Sequence, residues 1–170
     1  ADLIIPSMKF ELRSPDITHD KPMSNVHVYN RFGCTGENQS PALSWRSPPS
    51  GTKSFALMVH DPDAPTGGAG WWHWIVYDIP PTTRALPRGA GRMDQTKMVK
   101  GAVQVKTDYG QRGWGGPCPP QGAPAHRYVF TLYALGVANI DVPQAASPSQ
   151  VGFLVNQNAI GKTKLVATYK

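Results

Sequence analysis

Seventeen glycines and seventeen prolines are scattered along 170 residues, and no other feature restricts the possible folds as strongly. Proline lacks a backbone donor and holds φ near one value, so it stops helices and sits at turns and sheet edges. Glycine weakens helices and strands alike and serves tight turns. The two residues follow no period, which excludes a collagen-like chain. A helical bundle is a poor match, because its helices would be interrupted throughout. The chain is nevertheless 40% apolar with spread-out aromatics, which argues against disorder. One domain over residues 1–170 is expected, able to bury roughly 70% of its unfolded surface without help from a metal. No apolar run approaches ~18 residues, so no transmembrane helix and no stable membrane insertion are expected.

Between the breakers lie compact β-favouring runs. Residues 1–13 mix apolar and polar positions and predict an edge strand. Ser54 to His60 (SFALMVH) and His73 to Ile79 (HWIVYDI) read as buried strands separated by the loop Asp61 to Gly70. Arg84 to Lys97 and Gly113 to Pro124 read as long loops. Arg127 to Leu135 (RYVFTLYAL) predicts a third strong strand and Leu165 to Tyr169 a closing one. One helix is signalled over Pro148 to Ile160. Ser147 can cap it, Gln150 completes a capping box, Pro148 suits the first turn, and Gly161 offers a stop. The sum is a mostly β chain, a β-sandwich or barrel-like fold with one or two peripheral helices.

The formal net charge is +6, yet no run of five basic residues exists. Basic charge spread so thinly predicts a solvated surface and no nucleic-acid partner. The chain opens Ala-Asp-Leu without a methionine, which predicts a removed signal peptide and a periplasmic or secreted bacterial protein. In an oxidising compartment, Cys34 and Cys118 would most simply form one disulfide.

Polar and aromatic residues concentrate in three segments beside the strands: Asp61 to Pro65, Trp71 to Trp74, and Gly116 to Tyr128. Asp61 leaves one strand and His73 enters the next, so neighbouring strands would put both on one rim. His126 and Tyr128 are two apart and share a face. Strict alternation puts Trp71 and His73 on one face and Trp72 with Trp74 on the other, so the latter two are expected to pack and Trp71 to wall a pocket. His19 and His27 are expected to be exposed, and His60 to be a satisfied core or rim histidine. His73, His126 and Asp61 could supply three zinc ligands, but no HExxH or helical spacing accompanies them. No metal and no cofactor are expected. No GxSxG elbow is present, and a nucleophile activated by a base is not evident. A binding module is therefore the leading reading, with a hydrolase-type enzyme using the His/Asp pocket as the alternative.

The stretches DPDAPTGGAGWWHWIVYDIP (61–80), PPQGAPAHRYVFTLYAL (119–135) and GENQSPALSW (36–45) resemble three blocks of the phosphatidylethanolamine-binding protein family. The bacterial Raf-kinase-inhibitor-like branch is the nearest match, and the similarity runs over roughly residues 8–170. The resemblance implies a β-sandwich with a small surface pocket for phosphate, acetate, cacodylate or a phospholipid head group. It assigns that pocket to Asp61, Trp71, His73, Pro120, His126 and Tyr128, with Asp63 bracing the loop. A Cys34–Cys118 bridge would then tie two loops beside the pocket. The function implied is non-enzymatic binding of a small anion or phosphorylated ligand. Such a protein would modulate a protein partner such as a kinase or protease, and a homodimer is expected because some bacterial members form one.

Overall fold

The structure is a computed structural model that describes residues 9–170. The first eight residues of the expected edge strand lie outside the described part; Glu11–Arg13 forms strand β1. Leu43–Arg46 (β2) and Ala85–Leu86 (β5) join it in a three-stranded antiparallel sheet of order β1-β2-β5. Ser54–Asp61 (β3), Trp71–Ile79 (β4), Val103–Gln104 (β6), His126–Leu135 (β7) and Ala159–Tyr169 (β8) build a five-stranded antiparallel sheet of order β6-β4-β3-β7-β8.

The two sheets face each other across the main core. Leu12, Leu43, Trp45 and Leu86 of the small sheet meet Phe55, Leu57, Val59, Trp74, Phe130 and Leu132 of the large one. On the other face of the large sheet, Ala56, Met58 and Ile75 are covered by Val151 and Val155 of the helix Pro148–Asn158 (α1). This explains why β3 reads as an unbroken apolar run: both its faces are covered, so alternation has no polar side to report. Each of these large side chains contributes roughly 1.5–3 kcal/mol by leaving water. The mostly β architecture with a single described helix agrees with the sequence expectation.

The helix begins as predicted. Ser147 accepts the Gln150 amide N–H at 3.2 Å, and Gln150 Oε1 accepts the Ser147 N–H at 2.8 Å. Its end differs from expectation. The helix stops at Asn158, not at Gly161, and Ala159 passes directly into an eleven-residue strand instead of the short closing strand expected from Leu165. The cause is tertiary. β7 offers a ladder ten residues long, and β8 pairs along all of it, from Leu135↔Ala159 to His126↔Tyr169, with Gly161 opposite Ala134. β2, β5 and β6 were not expected as strands. They are only two to four residues long and carry too little pattern to stand out.

Candidate functional site

Three strands of the large sheet end at one rim and deliver the polar residues there. Asp61 is the last residue of β3, Trp71 the first of β4 and His126 the first of β7. Asp61 pairs directly with Trp71 across the ladder. Phe55, Leu57 and Val59, followed by Asp61 on the same alternation, point into the sandwich, as do Tyr128, Phe130 and Leu132. The site is therefore the open end of the main core, where the apolar series on each strand gives way to polar residues.

His73 reaches the site by a different route. Val59 faces Trp74 and His60 faces Trp72, so His73 is one extra residue in β4, a β-bulge. The bulge overturns one half of the expectation from strict alternation, that Trp72 and Trp74 share a face. Trp74 packs in the main core with Val76, while Trp72 packs on the outer face, tilted against His60 with ring centroids 4.1 Å apart. Trp72 and Trp74 thus lie on opposite faces, and Trp71, His73 and Trp74 all lean to the inner one. The His60 ring donates through Nε2 to the Ala69 carbonyl at 2.9 Å, as a satisfied rim histidine would.

The rim encloses a cavity of about 750 Å³, lined by Asp61, Trp71, His73, Pro120, His126 and Tyr128 among others. All six residues named from the sequence are thus brought to one cavity. The His126 ring donates its Nδ1–H to Asp61 Oδ2 at 2.7 Å, with both side chains buried. The other carboxylate oxygen of Asp61 accepts the Asp63 backbone N–H at 2.8 Å. Asp63 accepts from the Arg127 backbone and guanidinium at 2.8–3.0 Å, and this guanidinium holds its carboxyl at about 2. Asp63 therefore ties the Asp61 loop to the start of β7, the bracing role expected of it.

His73 Nδ1 lies against the Gly115 carbonyl, which can only accept, so the ring carries its proton on Nδ1. Burial holds its imidazole down to about 4, against weaker upward pulls from the Gly115 hydrogen bond and the Asp61 charge. The Tyr128 hydroxyl is pushed far above the ordinary phenol range, chiefly by burial and then by Asp61. Tyr128 OH and Trp71 Nε1 are buried with no hydrogen-bond partner among the described residues, as are Trp45 Nε1 and Ser47 Oγ outside the cavity lining. Such orphaned donors are rare, because leaving one unpaired costs about 1–3 kcal/mol.

Several wall residues escaped sequence reasoning. Tyr109 sits edge-on to Trp71 and His73 at 5.4 and 5.6 Å, stacks on Tyr29 at 4.0 Å, and donates its hydroxyl to the Gly116 carbonyl at 2.8 Å. Its only sequence signal is an aromatic inside a Thr-Asp-Tyr-Gly turn. Gly115 must be glycine, since a Cβ there would collide with the Tyr109 ring. Phe32 extends the same aromatic wall and is 78% exposed, with φ of 55°. Tyr169 and Lys170 line the cavity from the end of β8. His19 is exposed as expected, but His27 is not: it is 1% exposed. Its ring donates through Nδ1 to the Gln39 carbonyl at 2.8 Å and its carbonyl accepts the Trp114 indole N–H at 3.1 Å. The polar sequence around His27 is a loop folded over the core end, which concealed that burial.

Cys34 and Cys118 form a disulfide with their Cα atoms 5.9 Å apart, and both line the cavity. The bond joins the loop carrying Phe32 to the loop carrying Pro119 and Pro120.

Comparison with known proteins agrees with this architecture. A phosphatidylethanolamine-binding protein family model matches residues 13–170. YbcL of Escherichia coli K12 is 45% identical over 161 residues, covering 95% of this chain and 87% of YbcL. YbhB of the same organism is 42% identical over 159 residues, covering 94% of this chain and 99% of YbhB. The crystal structure of E. coli YbcL, described as a new member of the mammalian PEBP family, superposes with a TM-score of 0.92 over 96% of this chain and 99% of that one, at 45% identity. CT736 from Chlamydia trachomatis gives a TM-score of 0.80 at 30% identity, over 96% of this chain and 99% of that one. The chain belongs to the phosphatidylethanolamine-binding protein family.

Proposed function

We propose that the chain is a non-enzymatic binding protein whose pocket takes a small anion, a phosphate or a phosphorylated head group, and that the occupied pocket modulates a protein partner such as a kinase or protease. The observation that carries this reading is the pair of buried, unpartnered donors, Tyr128 OH and Trp71 Nε1, in a cavity shared with two imidazoles. Oxygen acceptors from a ligand would satisfy both, and the sheltered wall of aromatics strengthens such bonds. The test is an NMR titration of the histidine rings with phosphate. His73 and His126 signals should move together and saturate; unmoved rings at high phosphate would count against binding.

A hydrolase is the second reading, and the Asp61–His126 pair favours it. A carboxylate orienting an imidazole is the base half of an activated-nucleophile site. Among the described residues no hydroxyl or thiol hydrogen-bonds to His126, so the binding reading takes precedence. Turnover of ester or phosphoester panels, abolished in His126→Ala, would reverse that order.

An extracytoplasmic site of action is part of the proposal. The Cys34–Cys118 disulfide suits an oxidising compartment. A relative from Mycobacterium tuberculosis, 39% identical over 140 residues, carries the word lipoprotein in its name. No described helix is long and apolar enough to cross a membrane.

A further inference from the structure

The polar atoms around the pocket differ in what they can offer a ligand. Tyr128 OH and Trp71 Nε1–H are donors without an acceptor among the described residues. His73 is their opposite. Its Nδ1–H is committed to Gly115, so in the neutral ring Nε2 has only a lone pair to offer. No described group donates to that nitrogen. On β3, Asp61 accepts from His126 and Asp63, and the His60 ring is bonded to Ala69 on the outer face. On β7, Tyr128 packs edge-on at 5.1 Å, and His126 is held by Asp61. In the turn after β6, Tyr109 donates to Gly116 and Asp108 accepts the Trp72 backbone N–H. Tyr169 and Lys170 stand on the far wall.

A fully deprotonated oxyanion has acceptors only. It would satisfy the two orphaned donors but set an oxygen lone pair against the lone pair of His73. A ligand with one remaining O–H meets all three atoms. We infer that His73 makes the pocket select a singly protonated phosphate monoester over its dianion, so that binding at neutral pH takes up one proton from solvent. The proton ends between a ligand oxygen and His73 Nε2, and no bond to phosphorus is made or broken. The inference rests on the anion-binding reading above and assigns His73 the choice of ligand form. Burial, which disfavours a charged His73, points the same way. His126 differs in its anchor, because its Nδ1–H is given to the Asp61 carboxylate instead of a backbone carbonyl.

The probe is methyl phosphate, whose second ionisation lies near ~6 like that of other phosphate monoesters. Calorimetry at pH 7.5 in buffers of different ionisation heat counts the protons taken up. About one proton per phosphate bound is expected. Affinity should fall about tenfold for each pH unit above ~6.5, as one-proton linkage requires. In His73→Gln the side-chain amide can donate instead, so uptake should vanish and the pH slope should flatten. Binding by the unaltered protein with no proton uptake overturns the inference and leaves the anion-binding reading standing. Uptake that persists in His73→Gln but disappears in His126→Gln also overturns it, by placing the proton on the other ring. If His73→Gln does not fold, imidazole nitrogen NMR of the unaltered protein decides the point. A phosphate-induced shift at His73 Nε2 supports the inference, and a shift confined to His126 overturns it. No binding of methyl phosphate at any pH removes the anion-binding reading itself, together with this refinement.

Discussion

Tyr128 places a hydroxyl where the protein has no use for it. The ring is 1% exposed and packs in the main core, yet its OH has no partner among the described residues. Tyr128→Phe should therefore weaken phosphate binding by roughly 10- to 100-fold, the range for a hydrogen bond to a charged group. The same change should leave the melting temperature unchanged or raise it, because a desolvated orphan is removed. Phosphate titration and a thermal melt on one sample check both halves. His73 gives the pH counterpart. Its folded-state proton affinity is depressed, to about 4, so the unfolded chain binds the proton first as pH falls. The stability this histidine contributes is complete above ~6.5, the ordinary histidine value, and is lost as pH drops from there toward 4. Denaturant melts between pH 7 and 4.5 should show a decline on the order of 3 kcal/mol or less, and His73→Gln should flatten that decline. A slope identical in the variant would show that another group is responsible.

At the level of elements, the bulge in β4 does what no single residue type could. It lets Trp74 fill the main core while Trp71 and His73 keep the same inner face, His73 edge-on to Tyr128. A second irregularity in the same pairing, between Phe55 and Leu57, leaves Asp78 at φ 56°, where its carboxylate accepts the Ile140 N–H at 3.0 Å. Neither bulge can be read from the run HWIVYDI, because an extra residue changes the face of a side chain without changing the local pattern. The helix start is the reverse case. Ser147, Pro148 and Gln150 announce it in three letters, and the structure has the capping box they announce. Ser147→Ala should destabilise the protein by roughly 0.5–2 kcal/mol through the lost cap. Denaturant unfolding with an unchanged m-value checks this, and a change below a few tenths of a kcal/mol would show the cap to be idle. The helix end carried a local signal that misled, because pairing with β7 draws Gly161 into β8 and ends the helix at Asn158.

Across the whole molecule, one covalent link stands out. The Cys34–Cys118 bond spans 84 residues of sequence and binds the Phe32 loop to the Pro119–Pro120 loop. In the chain-entropy model a loop of that size stabilises by roughly 4–5 kcal/mol. Cys34→Ser with Cys118→Ser should lower the melting temperature by roughly 10 °C, given ~2–4 °C per kcal/mol for a chain of this length. It should also loosen phosphate binding, because one pocket wall loses its anchor. The sandwich core, which lies away from the bond, should keep the double variant folded at room temperature; circular dichroism and phosphate titration test this. The net charge of +6 is a second global property. Arg13, Arg46, Arg88, Arg92 and Arg127 are each engaged by a carboxylate, so no continuous basic stripe is built from them. Binding to duplex DNA should be weak and should vanish with added salt; sequence-dependent gel shifts that survive 200 mM salt would contradict this.

Some properties of this protein are local, and the sequence alone determines them. The four long apolar runs mark strands of the large sheet, because β-branched and aromatic residues bounded by Pro and Gly have few alternatives. Spacing by two places His126 with Tyr128, and the capped start places the helix. The six pocket residues were legible because they cluster at strand ends and match family blocks. Other properties depend on which segments meet. The length of β8, the side taken by Trp74, the burial of His27 and the entry of Tyr109 into the pocket wall all follow from contacts between residues distant in sequence. No window of ten or fifteen residues contains that information. The two orphaned donors of the pocket residues are the clearest instance: a tyrosine and a tryptophan in a strand are ordinary in sequence, and only the packed sandwich leaves their polar atoms buried with no partner among the described residues.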